Sequence, residues 1–562
     1  MRPLIGRTII RPTYFGACHP LRLAMVPLAV IYVAFAALNA TFTLDDPGQI
    51  DHFASYLKDA GWLSSLKVLL LGLDLNGEYR LYGLSRIFHL ALWTLFGKHA
   101  APYVATIAVL QLATGYGIYL LLGRMRFDTT QAGVVALMWV LSPFAATSCF
   151  HHYSYLILPY SLAVACTLVM QQLHDGAPTP ASYFFLTVLG TMMAWFGEAH
   201  LIASLVLMAF VSLGTPSQRS RRQRFVDVSV PIAAITGAIL IHRWAWINLA
   251  VVQQTPDRFR LSPPTGDLAL EQVNALVHAL VPGLAAQLHP LVAMAGIWIL
   301  SVAALITATV VVAGRRQKVQ GATTAGGRAG VLPLGLLILL TASLAIYGGI
   351  WVLTPGNHGD VLNRRYGFMP NTIFLMLIAS FFAEPWLRRI FKAAPAVICS
   401  IVIGFWFALE AICLPSIRAQ DRTIADAIRD SSRKVADPTL VFMNAWSHPD
   451  DPTYLPTGGT PGIRGDKWPE IFETPFSFYW VEASYADVIL GLHKVSYAAQ
   501  IKDDGAFIQV FNWPKVPVMI PTESLILVLN GSSVVPWWKQ PLAQVSVTHG
   551  LDAVAVLQKQ AM

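Results

Sequence analysis

Thr41-Phe-Thr-Leu-Asp-Asp-Pro-Gly-Gln-Ile-Asp51 places two adjacent carboxylates, Asp45 and Asp46, directly after a long apolar run from Leu23 to Ala40. Two carboxylates side by side must stay hydrated, be bridged by a cation or share a proton. A solvated turn at Pro47-Gly48 is the plain structural role. The chemical alternative is a general base at the water–lipid boundary. Further ionisable and ring groups recur where later apolar runs end. They are His151-His152-Tyr153, Gly197-Glu198-Ala-His200, and Thr354-Pro-Gly-Asn-His358-Gly-Asp360-Val-Leu-Asn-Arg364-Arg365-Tyr366. Ionisable residues at membrane depth are costly and usually face a cavity, so Glu198, His200, His151, His152, His358 and Asp360 are candidate cavity-lining groups. Glu198 could instead cap a helix end. The paired histidines lack the ligand spacing of a metal site and serve equally as interfacial hydrogen-bond formers.

The elements that must position these groups follow from composition. The chain has 562 residues, of which 55% are hydrophobic and 12% charged. Soluble domains carry about 25% charged residues, so the pattern is that of a polytopic membrane protein with one polar appendage. Five cysteines lie in or beside apolar runs and none follows Leu414, which excludes a disulfide framework in the tail. The net charge of +8 is no nucleic-acid signature. Its basic residues sit in short loops between apolar runs, as positive-inside topology requires.

A crossing needs roughly 17–25 apolar residues. The runs that meet this, or come close, are 23–41, 101–122, 130–148, 153–173, 181–197, 199–214, 228–250, 287–313, 331–353, 368–385 and 394–414, about eleven spans. In that register Arg124 and Arg126, Arg219–Arg224, Arg315–Arg328 and Arg388–Lys392 fall on the side of the N-terminal arginines, the cytoplasm. Asp45, Asp46, Glu198, Asp257, Asp360 and the tail fall on the other. The run 181–214 reads as one long helix or two short ones, and two keep the Arg219–Arg224 cluster inside. The N-terminal basic stretch is too long for a cleavable signal, so the first span is an uncleaved anchor. The first outer loop, 42–99, holds two further apolar pieces, Trp62–Leu73 and Tyr82–Phe96, expected as helices along the outer face.

After Leu414 the composition changes. Asp421–Val435 has helical spacing, and Thr439–Met443, Phe507–Phe511 and Leu525–Leu529 are short apolar runs bounded by turn residues. A tail of this length can bury its own core, so 415–562 is expected to be a soluble periplasmic α/β domain. Asn530-Gly-Ser532 fits both a glycosylation pattern and a hairpin turn, and the turn is favoured.

The acid pair after the first span, the surface-lying first loop and the Arg364-Arg365-Tyr366 loop before a late span together resemble the GT-C-type integral-membrane glycosyltransferases. The resemblance covers about 1–414 through order and topology. It implies a sugar donor carried on polyprenyl phosphate and a glycan, lipid or protein acceptor. It also implies a general base at Asp46 or Asp45, and a donor phosphate held by Arg365 or Arg364 beside Tyr366. Some members hold a divalent cation near the acidic pair, but no further carboxylate here is placed to complete its oxygen shell. The localisation implied is the inner membrane, with the N-terminus cytoplasmic and the C-terminal domain periplasmic. A transporter or flippase of lipid-linked anions, a many-helix polymerase or ligase of glycans, and a glycan-binding scaffold remain alternatives. The transporter would need carboxylates or broken helices inside the membrane.

Overall fold

The computed structural model describes most of 20–42, 83–142, 154–196 and 220–249, scattered residues of 58–64 and 403–433, and strands between 439 and 549. Seven helices are traced: α1 Pro20–Leu38, α2 Gly83–Phe96, α3 Ala100–Arg124, α4 Thr129–Val140, α5 Ser154–Asp175, α6 Pro180–Phe196 and α7 Arg221–Leu249. Helix α3 and the Arg222–His242 part of α7 are long and apolar enough to cross a membrane, while Val26–Leu38 and Ile157–Leu173 are shorter apolar helices. Their outward faces are apolar: Val30 in α1 is 64% exposed, Phe184 in α6 66% and Ile241 in α7 65%. Gln111, Thr114, Thr167 and Gln171 are buried instead. An apolar outside around a partly polar inside suits lipid better than water as the surrounding solvent.

Local chemistry sets the helix ends. Thr179 and Pro180 open α6. The Thr179 hydroxyl accepts from the Ser182 N–H at 3.2 Å, and proline at the first helical position loses no bond. Ser220 and Gln223 open α7 as a capping box: the Ser220 hydroxyl accepts from the Gln223 N–H at 3.3 Å, and Gln223 Oε1 accepts from the Ser220 N–H at 3.0 Å. Gly97, with φ 54°, ends α2 while its N–H donates to Trp93 O at 2.8 Å.

The contacts fix helix directions. Tyr32 meets Gln111 and Phe42 meets Tyr103, so α1 and α3 run antiparallel. Gln111 reaches Val140 O, and a Cβ on Gly115 would meet Val140 and Trp139, so α4 is antiparallel to α3. Thr114 meets Ser161, Gly117 faces Val164, and Arg124 meets Leu168, so α3 and α5 are parallel. Tyr183 bonds Asp227 and Gly190 lies against Pro231 and Ala234, so α6 and α7 are parallel too. The second helix expected within 181–214 lies outside the described residues. Antiparallel α1 and α3 leave no place for Tyr82–Phe96 as a single crossing; that stretch is α2, packed against α3, α5 and α6. One apolar core joins α5, α6 and α7, from Ala163, Cys166 and Met170 to Leu186, Met193, Val228 and Ile235.

Beyond the bundle, residues 422, 425, 426, 429, 430 and 432 are helical, as the spacing over Asp421–Val435 predicts. Six strands follow: β1 Thr439–Phe442, β2 Lys494–Asp503, β3 Phe507–Asn512, β4 Val516–Pro521, β5 Leu525–Asn530 and β6 Gln544–His549, in the order β4-β3-β2-β1-β5-β6. The strands β2, β1 and β5 are mutually parallel and the remaining pairs antiparallel. Pro517 and Pro521 fall on β4, an edge strand, where missing N–H groups are tolerated.

The strands β4 and β5 are consecutive in the chain, yet β3, β2 and β1 lie between them in the sheet. The register shift between Tyr497 and Lys502 supplies a bend on β2. The tight hairpin expected at Asn530-Gly531 does not join β5 to β6. Asn530 is the last residue of β5 and pairs with Gln544, so residues 531–543 intervene and the Asn-Gly pair is no two-residue hairpin.

The close α6–α7 approach is testable. A Cβ at Gly190 would lie 2.9 Å from Pro231 O and 3.1 Å from Pro231 Cα. Neither backbone atom can swing aside. Gly190→Ala should destabilise by about 1–3 kcal/mol. Gly133→Ala, where a Cβ meets nothing within 4 Å, should be neutral or slightly stabilising. Thermal unfolding of the detergent-solubilised protein, followed by tryptophan fluorescence, separates the two.

Candidate functional site

The end of the bundle where α1 finishes is built against the start of α3 and the end of α2. At the end of α1 the backbone needs acceptor partners, because the last carbonyls of a helix have none within it. Asn39 supplies two donors to Phe35 O, its N–H at 3.2 Å and its Nδ2 at 2.8 Å. Leu38 O accepts from the Arg422 Nη2 at 2.6 Å. Phe42, 2% exposed, sets its ring edge-on against Tyr103 with centroids 5.3 Å apart. The Tyr103 hydroxyl donates to Gly97 O at 3.1 Å, and its ring meets Phe96 at 6.0 Å. The departure point of the acidic loop is thus a packed aromatic corner with a guanidinium on its rim. Arg418, one helical turn before Arg422, is 1% exposed.

The remaining buried polar groups are distributed along the bundle. Gln111 Nε2 donates to Val140 O at 2.6 Å and to the Tyr32 hydroxyl at 3.1 Å, joining α1 to the end of α4. Thr114 and Ser161 approach to 2.6 Å, while each hydroxyl also lies within bonding distance of its own i−4 carbonyl. Two protons cannot serve all three contacts, so at most two of these are made at a time. Such pairs join helices where lipid offers no partner. Trp139 and Tyr160 stack with centroids 5.5 Å apart. Gln171, 3% exposed, finds no partner for either side-chain atom among the described residues.

At the opposite end, Asp227 is fully buried and accepts from the Tyr183 hydroxyl at 2.8 Å. Sequence reasoning began the span at residue 228 and so left this carboxylate in a loop. The helix starts at Arg221, and Asp227 lies inside it, one turn before Pro231.

The residues expected to carry chemistry, Asp45, Asp46, His151, His152, Glu198, His200, His358, Asp360, Arg364, Arg365 and Tyr366, all lie outside the described residues. The structure therefore neither joins nor separates them. Among the described residues no three His, Cys, Asp or Glu side chains gather as a metal site. Arg418 and Arg422 were missed. The same i,i+4 arginine spacing recurs at Arg429 and Arg433, so nothing in the segment singled them out. No family model, curated protein or solved structure matches the chain.

The Tyr183–Asp227 bond gives a second prediction. Tyr183→Phe removes a donor from a buried carboxylate and should cost about 1–3 kcal/mol. Thermal unfolding of Tyr183→Phe, Asp227→Asn and the double variant should show non-additive losses, because both changes act on one bond.

Proposed function

We propose that this protein is a multi-pass glycosyltransferase of the inner membrane that moves a sugar from a polyprenyl-phosphate carrier to an acceptor hydroxyl on the outer face. The full arrangement has about eleven spans, a cytoplasmic N-terminus and a periplasmic C-terminal domain. One observation carries the reading. Helix α1 ends, and the Asp45-Asp46 loop departs, at the end of the bundle opposite Arg124, Arg222 and Arg224. That is the end where Arg422 meets Leu38 O. This supports a reading in which acidic and basic groups share one membrane boundary, where a lipid-linked donor presents its headgroup.

The chemistry follows from that placement. A hydroxyl is a weak nucleophile and needs a base within hydrogen-bond reach. Asp46 or Asp45 accepts the hydroxyl proton while the oxygen bonds to the anomeric carbon. The bond from that carbon to the phosphate oxygen breaks, and its electron pair leaves with the lipid phosphate. Arg365 or Arg364, beside Tyr366, offsets the charge on the departing phosphate. His151, His152, Glu198, His200, His358 and Asp360 line the cavity. A single displacement inverts the anomeric centre. No step is routed through a metal.

The transporter reading gains one observation, the buried Asp227 beside Pro231 in α7. A carboxylate next to a helix-breaking proline is a feature of ion and substrate pathways. Asp227, however, lies within two turns of Arg222 and Arg224, near the helix end, and is held by Tyr183.

A transfer assay with a panel of synthetic polyprenyl-phosphate sugars tests the proposal. Loss of the base should lower the rate by about 10²–10⁴-fold in Asp46→Asn or Asp45→Asn, with expression unchanged and inverted product stereochemistry in the wild type. Wild-type rates in both variants would refute an aspartate base here.

A further inference from the structure

We infer that Arg422 is a positioning residue that docks the helix leading into β1 onto the carboxyl end of α1. Its Nη2 donates to Leu38 O at 2.6 Å across 384 positions of sequence. The acceptor is one of the carbonyls that α1 cannot satisfy internally. The C-terminus of a helix also carries a partial negative charge, which favours a cation there.

The neighbouring arginines of the same segment behave differently. Arg429 pairs with Asp426 at 3.1 Å and Arg433 with Asp430 at 3.7 Å, both within the segment and on exposed faces. Arg418, one turn before Arg422, is buried at 1% exposure. Arg418 and Ala425 are buried while Arg429 and Arg433 pair on exposed faces, and Arg422 reaches from this segment to α1. On the other side of Leu38, Asn39 bonds back to Phe35 O and Phe42 is locked against Tyr103. The last turn of α1 is therefore fixed from two directions, by α3 through Phe42 and by the C-terminal segment through Arg422.

Only the consequence for catalysis rests on the transferase reading. If the acid pair acts as the base, holding the last turn of α1 sets where that loop begins. The docking itself stands without it. Hydrogen exchange on the full-length protein in detergent tests it directly. Arg422→Ala should speed exchange of the amides of residues 38–42 about tenfold or more, while the amides of 104–121 in α3 are unchanged. Arg422→Lys, which keeps a donor and the charge, should restore most of the protection. Unchanged exchange at 38–42 in Arg422→Ala, or faster exchange equally in α3, would overturn the inference. In the transfer assay Arg422→Ala should lower kcat with KM little changed, and Arg422→Lys should recover it. If the wild type transfers no sugar, the transferase reading fails while the exchange result still decides the docking.

Discussion

The parallel packing of α6 against α7 constrains the bundle more than any other contact. Neighbouring helices joined by a short loop run antiparallel, as α3 with α4 and α5 with α6 do, across residues 125–128 and 176–179. A parallel pair cannot be made that way. Tyr183 with Asp227 at one end and Gly190 with Pro231 and Ala234 further along leave a single direction for both helices. Gly190 is what permits the approach: any larger residue would press on Pro231 backbone. The equivalent α3–α5 pair carries α4 as its return. Direction alternates along the chain accordingly, and Arg124, Arg222 and Arg224 come to one end.

Much of this bundle was legible in the residues. Apolar runs gave α1, α3, α5, α6 and α7 to within a few positions, because length and composition suffice when the surrounding solvent is lipid. The caps at Thr179-Pro180 and Ser220-x-x-Gln223 sharpen two of those ends through local hydrogen bonds alone. The start of α7 was misplaced for an instructive reason. A charged residue at the edge of an apolar run reads as loop, yet Tyr183, forty-four positions earlier, supplies the bond that lets Asp227 be buried.

The tail shows the opposite balance. The runs at β1, β3 and β5 are apolar and bounded by turn residues, and they form strands. The segments Lys494–Asp503, Val516–Pro521 and Gln544–His549 do not stand out. One carries charges at both ends, one is interrupted by prolines, and one is polar at alternate positions. They become strands because an adjacent strand offers a ladder, which is a long-range property. Asn530-Gly531 likewise does not make a two-residue hairpin, because the partner strand begins only at Gln544. Of the expected site, the residue types and their order could be read from the sequence. Arg422 could not, since nothing within its own segment distinguishes it from Arg429 or Arg433, and its partner is a backbone carbonyl with no side-chain signature.

Charge balance at the end of α1 joins these points. A helix C-terminus carries roughly half a negative charge, and the chain places Asp45 and Asp46 within eight residues of Leu38. Negative charge at a helix end favours a cation there. Asn39 can satisfy a carbonyl but brings no charge. A guanidinium does both: it fills the acceptor site on Leu38 O and brings a positive charge to it. A lysine would supply the charge as a more strongly hydrated point, with less directional hold on the carbonyl. The position of Arg422 is thus explained by what precedes the acidic loop, whether that loop acts as a base or remains a solvated turn.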